Sequence, residues 1–422
     1  MIQSLLNTGR LDFVFIRPSF FLALFICLPL TFYILDLYYP YKYFKPGLTL
    51  FEVMLGIFWC GLILAAISYA DKTFTMSRSI FISLLATIAP LVFAIRMFYD
   101  LLFRSRFLDK KAMIVGSGAL ACEMIAVIRK TAHAGLRLVG VVSDDRLLPA
   151  GHQVAGLPVL GVLDDLPAVV AGHGPQVVIL ALEAGRDAAD FKVVAEVLKR
   201  HDNVTSALHL LERLTGKLPD PLLEGHFVLG LAAQLRSKPY LKLKRILDVL
   251  IAFLLIVILM PVWLLAIALL ALSDPREIFF VQERIGRNSA PFRLVKLRSM
   301  TAAKDGPQSV TKLGRWLRRY RIDEIPQLLN VLKGDMSLVG PRPEIPFFVD
   351  RCMDKIPFYE TIFTVRPGLT GWAQVKFRYT TTVKDYHEKF AYNLFYLKNI
   401  SLVLDLLILL RTVKIILFGL GQ

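Results

Sequence analysis

The chain has 422 residues, enough for two or three structural units; 55% of them are apolar and the mean hydropathy is +0.55. That composition excludes an ordinary water-soluble globule and predicts segments that enter a bilayer. The net charge of +16 demands anionic partners; spread along membrane flanks and turns, it points to lipid head groups or a phosphorylated substrate and away from nucleic acid.

Three apolar runs come first, near Phe20–Tyr38, Gly47–Ala70 and Ile80–Phe103. Each approaches the ~20 residues that cross a bilayer. The first lacks a small-residue cleavage site and reads as a retained anchor. Arg104, Arg106, Lys110 and Lys111 directly follow the third. That end is therefore expected in the cytoplasm, and the N-terminus outside. Cys27, Cys60, Cys122 and Cys352 are far apart, without a CxxC or a Cys/His cluster, so neither a disulfide framework nor a zinc site is expected.

From 111 to 235 the pattern alternates. "KKAMIVGSGALACEMIAVIRK" reads as strand, glycine turn and helix, "LRLVGVVSDD" and "QVVILAL" as further strands, and 188–200 as helical. This predicts a Rossmann-like parallel α/β domain. Gly116, Gly118 and Ala121 form G-x-G-x-x-A at the first turn, where backbone N–H groups could cradle a phosphate and Asp144 or Asp145 could meet a ribose. Close strand–helix packing without a nucleotide explains the same residues.

The fourth apolar run, Ile246–Leu272, is interrupted by Pro261. Proline removes a backbone donor, and each half is shorter than the ~30 Å hydrocarbon core. Lys242, Lys244 and Arg245 flank one end, and Arg276, Arg284 and Arg287 the other. Positive charge on both sides predicts a re-entrant hairpin that bends at Pro261 with both ends in the cytoplasm. A kinked full span is the alternative. The remaining chain is polar, basic and turn-rich, and ends in an apolar stretch interrupted by Asp405, Arg411 and Lys414, expected to lie in the membrane surface.

This last part gathers the chemistry. "FRLVKLRSM" supplies Lys296 and Arg298; "RWLRRYRIDEIPQLLNVLKG" supplies Arg318, Asp323 and Glu324; "SLVGPRPE" supplies Arg342 and Glu344; "VRPGLTGWAQVKFR" supplies Arg366, Gln374 and Arg378. Taken alone, Asp323 and Glu324 read as a helix start, with Pro326 in the first turn and Gly334 ending it. That leaves the arginines unexplained. No histidine lies between His226 and His387, which disfavours His-based acyl transfer. Arginines held in proline and glycine turns beside two carboxylates suit phosphate chemistry with a hard metal. A pyrophosphate must be neutralised before an anionic nucleophile attacks, and Mg²⁺ takes one or two carboxylates plus phosphate oxygens. A carboxylate can itself attack phosphorus, and the helix start would keep Asp323 ionised.

From about 240 onward these motifs, with "LKLKRILDVL", "FFVQERIGRNSAPFRLVKLRSM" and "SLVLDLLILLRTV", resemble the bacterial sugar transferase family, the monotopic polyprenyl-phosphate phosphoglycosyl transferases. The N-terminal part resembles the long form of that family. The resemblance implies transmembrane helices over 1–110, a Rossmann-like domain over 111–235, and a mostly α catalytic domain over 240–422 with the re-entrant hairpin at 246–272. It implies residence in the bacterial inner membrane, multi-pass, with the catalytic domain facing the cytoplasm. The implied reaction moves a sugar-1-phosphate from a UDP-sugar to undecaprenyl phosphate and releases UMP, the first membrane step of exopolysaccharide, O-antigen or capsule assembly. Asp323 would be the nucleophile and Glu324 its partner, with Mg²⁺ held by both. Arg342 would meet the nucleotide, and Lys296, Arg298, Arg318, Glu344, Arg366 and Arg378 would line the substrate phosphates. A homo-oligomer stays open. So do two other classes: a membrane nucleotide-sugar epimerase or dehydratase using Tyr240 and Lys244, which NAD dependence would reveal, and a non-catalytic membrane scaffold or sensor that binds nucleotide.

Overall fold

The computed structural model describes residues 18–34, 46–70, 78–104, 109–131, 135–146, 148, 150–182, 193–196, 199, 201, 203–223, 226–236, 239–273, 278–300, 309–377 and 382–418. They form two compact units, Met1–Leu210 and Leu211–Gln422.

The first unit begins with helices α1 (Pro18–Ile34), α2 (Pro46–Ala70) and α3 (Arg78–Arg104). Phe32, Val53, Ile57 and Ala89 are buried together, while Phe25, Phe51, Phe58 and Ile95 face outward. Apolar side chains on both inner and outer faces are what a lipid solvent selects. Among the described residues α2 is long and apolar enough to cross a membrane over Thr49–Ile67; the apolar parts of α1 and α3, Leu22–Tyr33 and Ala86–Phe98, are shorter.

The α/β part holds β1 (Lys110–Val115), α4 (Ala119–Lys130), β2 (Leu136–Ser143), β3 (Gln153–Val154), β4 (Leu157–Val162), α5 (Leu166–His173), β5 (Val177–Leu180) and β6 (Val204–Ser206). The sheet order is β3-β4-β2-β1-β5-β6, parallel throughout except for the β3–β4 edge. The sequence changes direction between β1 and β5, which is the Rossmann-like arrangement expected. Met113, Val115, Val142 and Val178 are fully buried against Leu166 and Val170 of α5. Gly116 has φ +122°, and a Cβ there would lie 2.3 Å from the carbonyl oxygen of Ala181. Its glycine is therefore required by the close approach of β1 to β5. Of the expected helix at 188–200, residues 193–196 are helical and most of the rest lies outside the described residues.

The second unit contains most of α6 (Ala207–Thr215), then α7 (His226–Arg236), α8 (Tyr240–Ser273), the antiparallel hairpin β7 (Phe279–Ile285) and β8 (Pro291–Leu297), α9 (Lys312–Arg319), α10 (Gln327–Lys333), β9 (Ser337–Val339), α11 (Pro346–Met353), β10 (Gly368–Thr370), α12 (Trp372–Lys376), α13 (Val383–Lys398) and α14 (Leu402–Leu417). β9 and β10 form a short parallel pair.

One expectation is corrected. The domain boundary expected at 235 falls after Leu210. Leu218, Leu223, Val228, Leu231 and Leu235 belong to the core of the second unit, and the Trp372 indole N–H donates to the Gly216 carbonyl at 2.7 Å. Leucines spaced along α7 give it an apolar face that needs this partner. At Pro261, where a bend is expected, α8 stays helical through the proline. A missing N–H removes one hydrogen bond while neighbouring turns remain helical. Residues on both sides of Pro261, Ala252 before it and Ala266 and Leu270 after it, enter the same core. Much of the remaining surface of α8 is apolar and outward-facing, as at Leu250, Phe253 and Leu264.

A buried polar network ties the base of α8 to the rest. Asp405 on α14 accepts from Lys244 (2.6 Å), Tyr240 (2.7 Å) and Tyr396 (2.8 Å). Asp248 accepts from the Ser337 hydroxyl (2.7 Å) and the Leu338 N–H (3.2 Å). Tyr240 and Lys244 thus serve Asp405, which fixes them as structural groups rather than as a catalytic Tyr–Lys pair.

Candidate functional site

Asp323 and Glu324 sit on a 3-10 turn, Ile322–Glu324, directly ahead of α10. Arg321 opens that turn with φ +56°, a left-handed conformation uncommon for a residue other than glycine. It lets the Arg321 guanidinium fold back to Glu324 at 3.2 Å. Gly334, at φ +104°, ends α10 as the sequence predicts, with its N–H bonded to Asn330 and Val331.

Glu324 is buried and held by three cations: Lys296 Nζ at 3.4 Å, Arg321 at 3.2 Å and Arg342 at 3.1 Å, all to Oε1. Burial alone would raise its pKa, but Arg342, Lys296 and Arg321 outweigh it and hold the carboxyl well below the usual carboxylate range. Asp323 behaves oppositely. Burial first, and ionised Glu324 second, push its carboxyl up to about 6, while Lys296, Arg321 and Arg318 pull it back. The helix start does not offset this, so the Asp323 pKa rises, although the group is still mostly ionised above pH 7. The acid precedes a short helix, is stripped of water, and lies beside a permanent negative charge.

Arg342 is fixed by a backbone knot. A Cβ on Gly340 would lie 2.6 Å from the Arg366 carbonyl oxygen, one on Gly368 would lie 2.1 Å from Gly340 N, and one on Gly371 would lie 2.1 Å from the Gly340 oxygen. The Gly340 N–H donates to Thr370 and the Gly368 N–H to Pro341. "VGPRP" and "RPGLTG" are thus two chain segments in backbone contact, with prolines limiting their freedom. Behind Arg342, Glu344 forms an ion pair with Lys389 of α13.

Besides Trp263 Nε1 on α8, four buried polar atoms among the described residues of this unit lack hydrogen-bond partners: Asp323 Oδ1, Arg284 Nε, Gln327 Nε2 and Gln374 Nε2. Arg284 interacts electrostatically with Arg342, Glu344 and Glu324; Gln327 begins α10; Gln374 shares a cavity with Glu324. Buried donors without acceptors are costly, and their placement around the acid pair suits an oxygen-rich ligand. The cavity is about 220 Å³. Arg321, Glu324 and Gln374 form its polar part, while Leu255 and Leu259 of α8 and Leu409, Val413 and Ile416 of α14 line its apolar part.

The residues also suit Mg²⁺. Glu324 Oε1 is occupied by cations, whereas Asp323 Oδ1 is an unpartnered acceptor. No cluster of three metal-ligating side chains occurs among the described residues. An ion that takes one or two carboxylates and completes its shell with phosphate and water fits that donor set.

Of the residues expected from the sequence, Asp323, Glu324, Lys296, Arg318 and Arg342 are brought together. Arg298 lies just past β8, its N–H bonded to the Ile278 carbonyl. Arg366 lines a different cavity whose lining includes neither acid. Arg378 lies outside the described residues. The glycine turn lies in the first unit, where the N–H and hydroxyl of Ser117 both donate to Asp144, at 2.8 and 2.6 Å. Sequence reasoning missed site roles for Arg321, Arg284 and Gln327. Arg321's proximity to the acids was visible, but its left-handed backbone was not.

Such a site can hold a multiply charged phosphate ester at its polar end and an apolar chain beside it. A family model described as "Bacterial sugar transferase" matches residues 239–419, and one described as "CoA-binding domain" matches 33–205. The chain belongs to the bacterial sugar transferase family. It is 40% identical over 240 residues to "UDP-N-acetylgalactosamine-undecaprenyl-phosphate N-acetylgalactosaminephosphotransferase" of Aeromonas hydrophila, covering 54% of this chain and 56% of that protein. It is 45% identical over 181 residues to "UDP-glucose:undecaprenyl-phosphate glucose-1-phosphate transferase" of Caulobacter vibrioides, covering 40% of this chain and 68% of that protein. A Xanthomonas campestris protein of the latter name is 28% identical over 334 residues, 72% of this chain and 66% of that protein. The matched part thus spans little more than half the length of the Aeromonas protein and about two thirds of the other two.

Proposed function

We propose that this protein transfers a sugar-1-phosphate from a UDP-sugar to undecaprenyl phosphate at the cytoplasmic face of a bacterial membrane, releasing UMP, in the assembly of an extracellular polysaccharide. The observation that carries the reading is the unequal acid pair: Glu324, which lines an apolar cavity and is neutralised by Lys296, Arg321 and Arg342, next in sequence to Asp323 with its unpartnered oxygen. The names of the relatives supply the substrate classes.

An oxygen of Asp323 attacks the sugar-bearing phosphorus. The bond from that phosphorus to the bridging oxygen breaks, and UMP departs with the electron pair. Lys296, Arg318 and Arg342 lower the charge that the nucleophile must approach. The acyl-phosphate is then attacked by a phosphate oxygen of the lipid acceptor, which regenerates the Asp323 carboxylate. Neither step needs a histidine. Mg²⁺, held by Asp323 with Glu324 nearby, would supply further charge neutralisation on the pyrophosphate. The acceptor's chain lies along Leu255, Leu259 and Leu409. In this reading α8 enters and leaves the same leaflet, which the sharing of one core by Ala252, Ala266 and Leu270 supports, and the first unit's helices make the chain multi-pass.

The test is UMP release across a panel of UDP-sugars with undecaprenyl phosphate, paired with intact-mass analysis after quenching with donor alone. A mass gain of one phospho-sugar, absent from Asp323→Asn, is expected. Lipid product formed without any adduct would remove the covalent step, and full turnover in excess chelator would remove the metal.

A further inference from the structure

A second cavity in this unit lies away from the acid pair and has no role in the transfer described above. It is about 30 Å³ and is lined by Lys244, Arg245, Asp248, Arg287, Arg366 and Tyr396, among others. Lys244 is used by Asp405 and Asp248. Arg245 donates to the carbonyls of Val331 and Leu332, and Arg366 Nε to that of Gly334. Both arginines thus face the end of α10, yet Arg366 keeps its two terminal nitrogens unspent. Arg287 is exposed, and its side chain makes no ion pair or hydrogen bond among the described residues. Four cations face two carboxylates, Asp248 in the lining and Asp405 behind it, which leaves a surplus of two positive charges. Burial and the nearness of Arg245 and Arg287 all press the pKa of Arg366 downward. Three guanidinium groups held around one gap repel each other unless an anion joins them.

The position of the cavity defines the anion. Leu241, Lys244, Arg245 and Asp248 occupy the first turns of α8, and outward-facing apolar side chains begin among them, at Leu243, Ile246 and Leu250. The gap therefore lies at the depth of lipid head groups, beside the membrane helix rather than within it. Its size admits one or two water-sized groups, so it takes phosphate oxygens and not a nucleotide.

We propose that Arg245, Arg287 and Arg366 form a binding site for the phosphodiester of an anionic phospholipid, which ties the base of α8 to the end of α10. This site is independent of the transferase reading, and its test reads lipid binding rather than turnover. Full-length protein, delipidated in a neutral detergent, is titrated with phosphatidylglycerol or phosphatidylcholine, and bound lipid is counted by native mass spectrometry. Phosphatidylglycerol should be retained over phosphatidylcholine. Arg287→Gln should weaken that retention about fivefold, the worth of one basic residue at the head-group layer, and Arg287→Glu should weaken it further. Because Arg287 supports no described hydrogen bond through its side chain, both variants should elute and melt like wild type; Arg366→Gln provides a second variant if they do not. Equal retention of the two lipids by wild type, or an unchanged preference in Arg287→Glu and Arg366→Gln, would overturn the proposal. Displacement of phosphatidylglycerol by millimolar inorganic phosphate would overturn the head-group assignment and leave a free-phosphate site.

Discussion

Replacing Asp323 with Asn should make the protein more stable at alkaline pH while removing its activity. The Asp323 carboxyl is pushed from 3.8 up to about 6, so the folded state holds this proton more tightly than the unfolded chain does. Below about pH 4 both states are protonated and the acid costs nothing. Between about 4 and 6 the unfolded state ionises first, and folding is progressively penalised; above about 6 the penalty is complete. A shift of about two pKa units corresponds to about 3 kcal/mol. Asn has the same shape and no charge, so Asp323→Asn should gain about 2–3 kcal/mol at pH 8. For a unit of this size that is a rise of roughly 4–12 °C in midpoint. Thermal unfolding of the full chain in detergent, from pH 4.5 to 8.5, measures it through the transition of the second unit. The gap between variant and wild type should close as pH falls. An Asn variant no more stable than wild type at pH 8, or a gap that widens toward acid, would refute the claim that Asp323 is held desolvated beside a charged neighbour. In the wild-type enzyme the same pKa predicts that the rate at low donor concentration climbs through about pH 6 and then levels.

Glu324→Gln should act in the opposite sense. It strands Lys296, Arg321 and Arg342 without their buried counter-charge, and removing one partner of a buried pair costs about 3–5 kcal/mol; a melting curve unchanged at pH 8 would contradict this. Gly368→Ala pushes a methyl into Gly340 N and should cost at least about 1–3 kcal/mol, with KM for the donor rising because Arg342 moves; a variant with wild-type melting and KM would show that the knot tolerates the methyl. A chain beginning at 211 should fold as a soluble-in-detergent, monodisperse protein, whereas one beginning at 236 should aggregate, because Leu218, Leu223, Val228, Leu231 and Leu235 leave the core with it. Size-exclusion profiles of the two compare them directly, and equal behaviour would mean that 211–235 is dispensable.

Much of this was legible before any coordinates. Alternating apolar runs and a glycine turn announced the parallel sheet, and Pro326 and Gly334 bracketed α10 to within a residue. Periodicity reports what a segment buries, not which neighbour supplies the other side. For that reason α7 looked like the tail of the α/β domain although its leucines pack on the transferase core. At Pro261 the sequence shows a lost donor but not the packing that keeps α8 helical around it. The arginines show the same limit. All were candidates by residue type, yet Arg342 meets Glu324 and Arg366 does not, and that division follows from the contact between Gly340 and Gly368, far apart in sequence.

The acid pair makes the point at atomic scale. Two adjacent carboxylates in a small basic shell cannot be neutralised equally, because each cation that approaches one leaves less for the other. Here Lys296, Arg321 and Arg342 all converge on the same oxygen of Glu324. Asp323 is thereby left with a buried, unpartnered oxygen and a pKa of about 6. At pH 7.5 it is still overwhelmingly ionised, yet it is a stronger base than a solvated aspartate and has no hydrogen bond to break before it reacts. Glu324 serves as the fixed anion that gathers the positive groups, and a pyrophosphate entering this shell can draw them away from Glu324 without touching Asp323. The inequality between neighbours, rather than the presence of two acids, is what gives each its role.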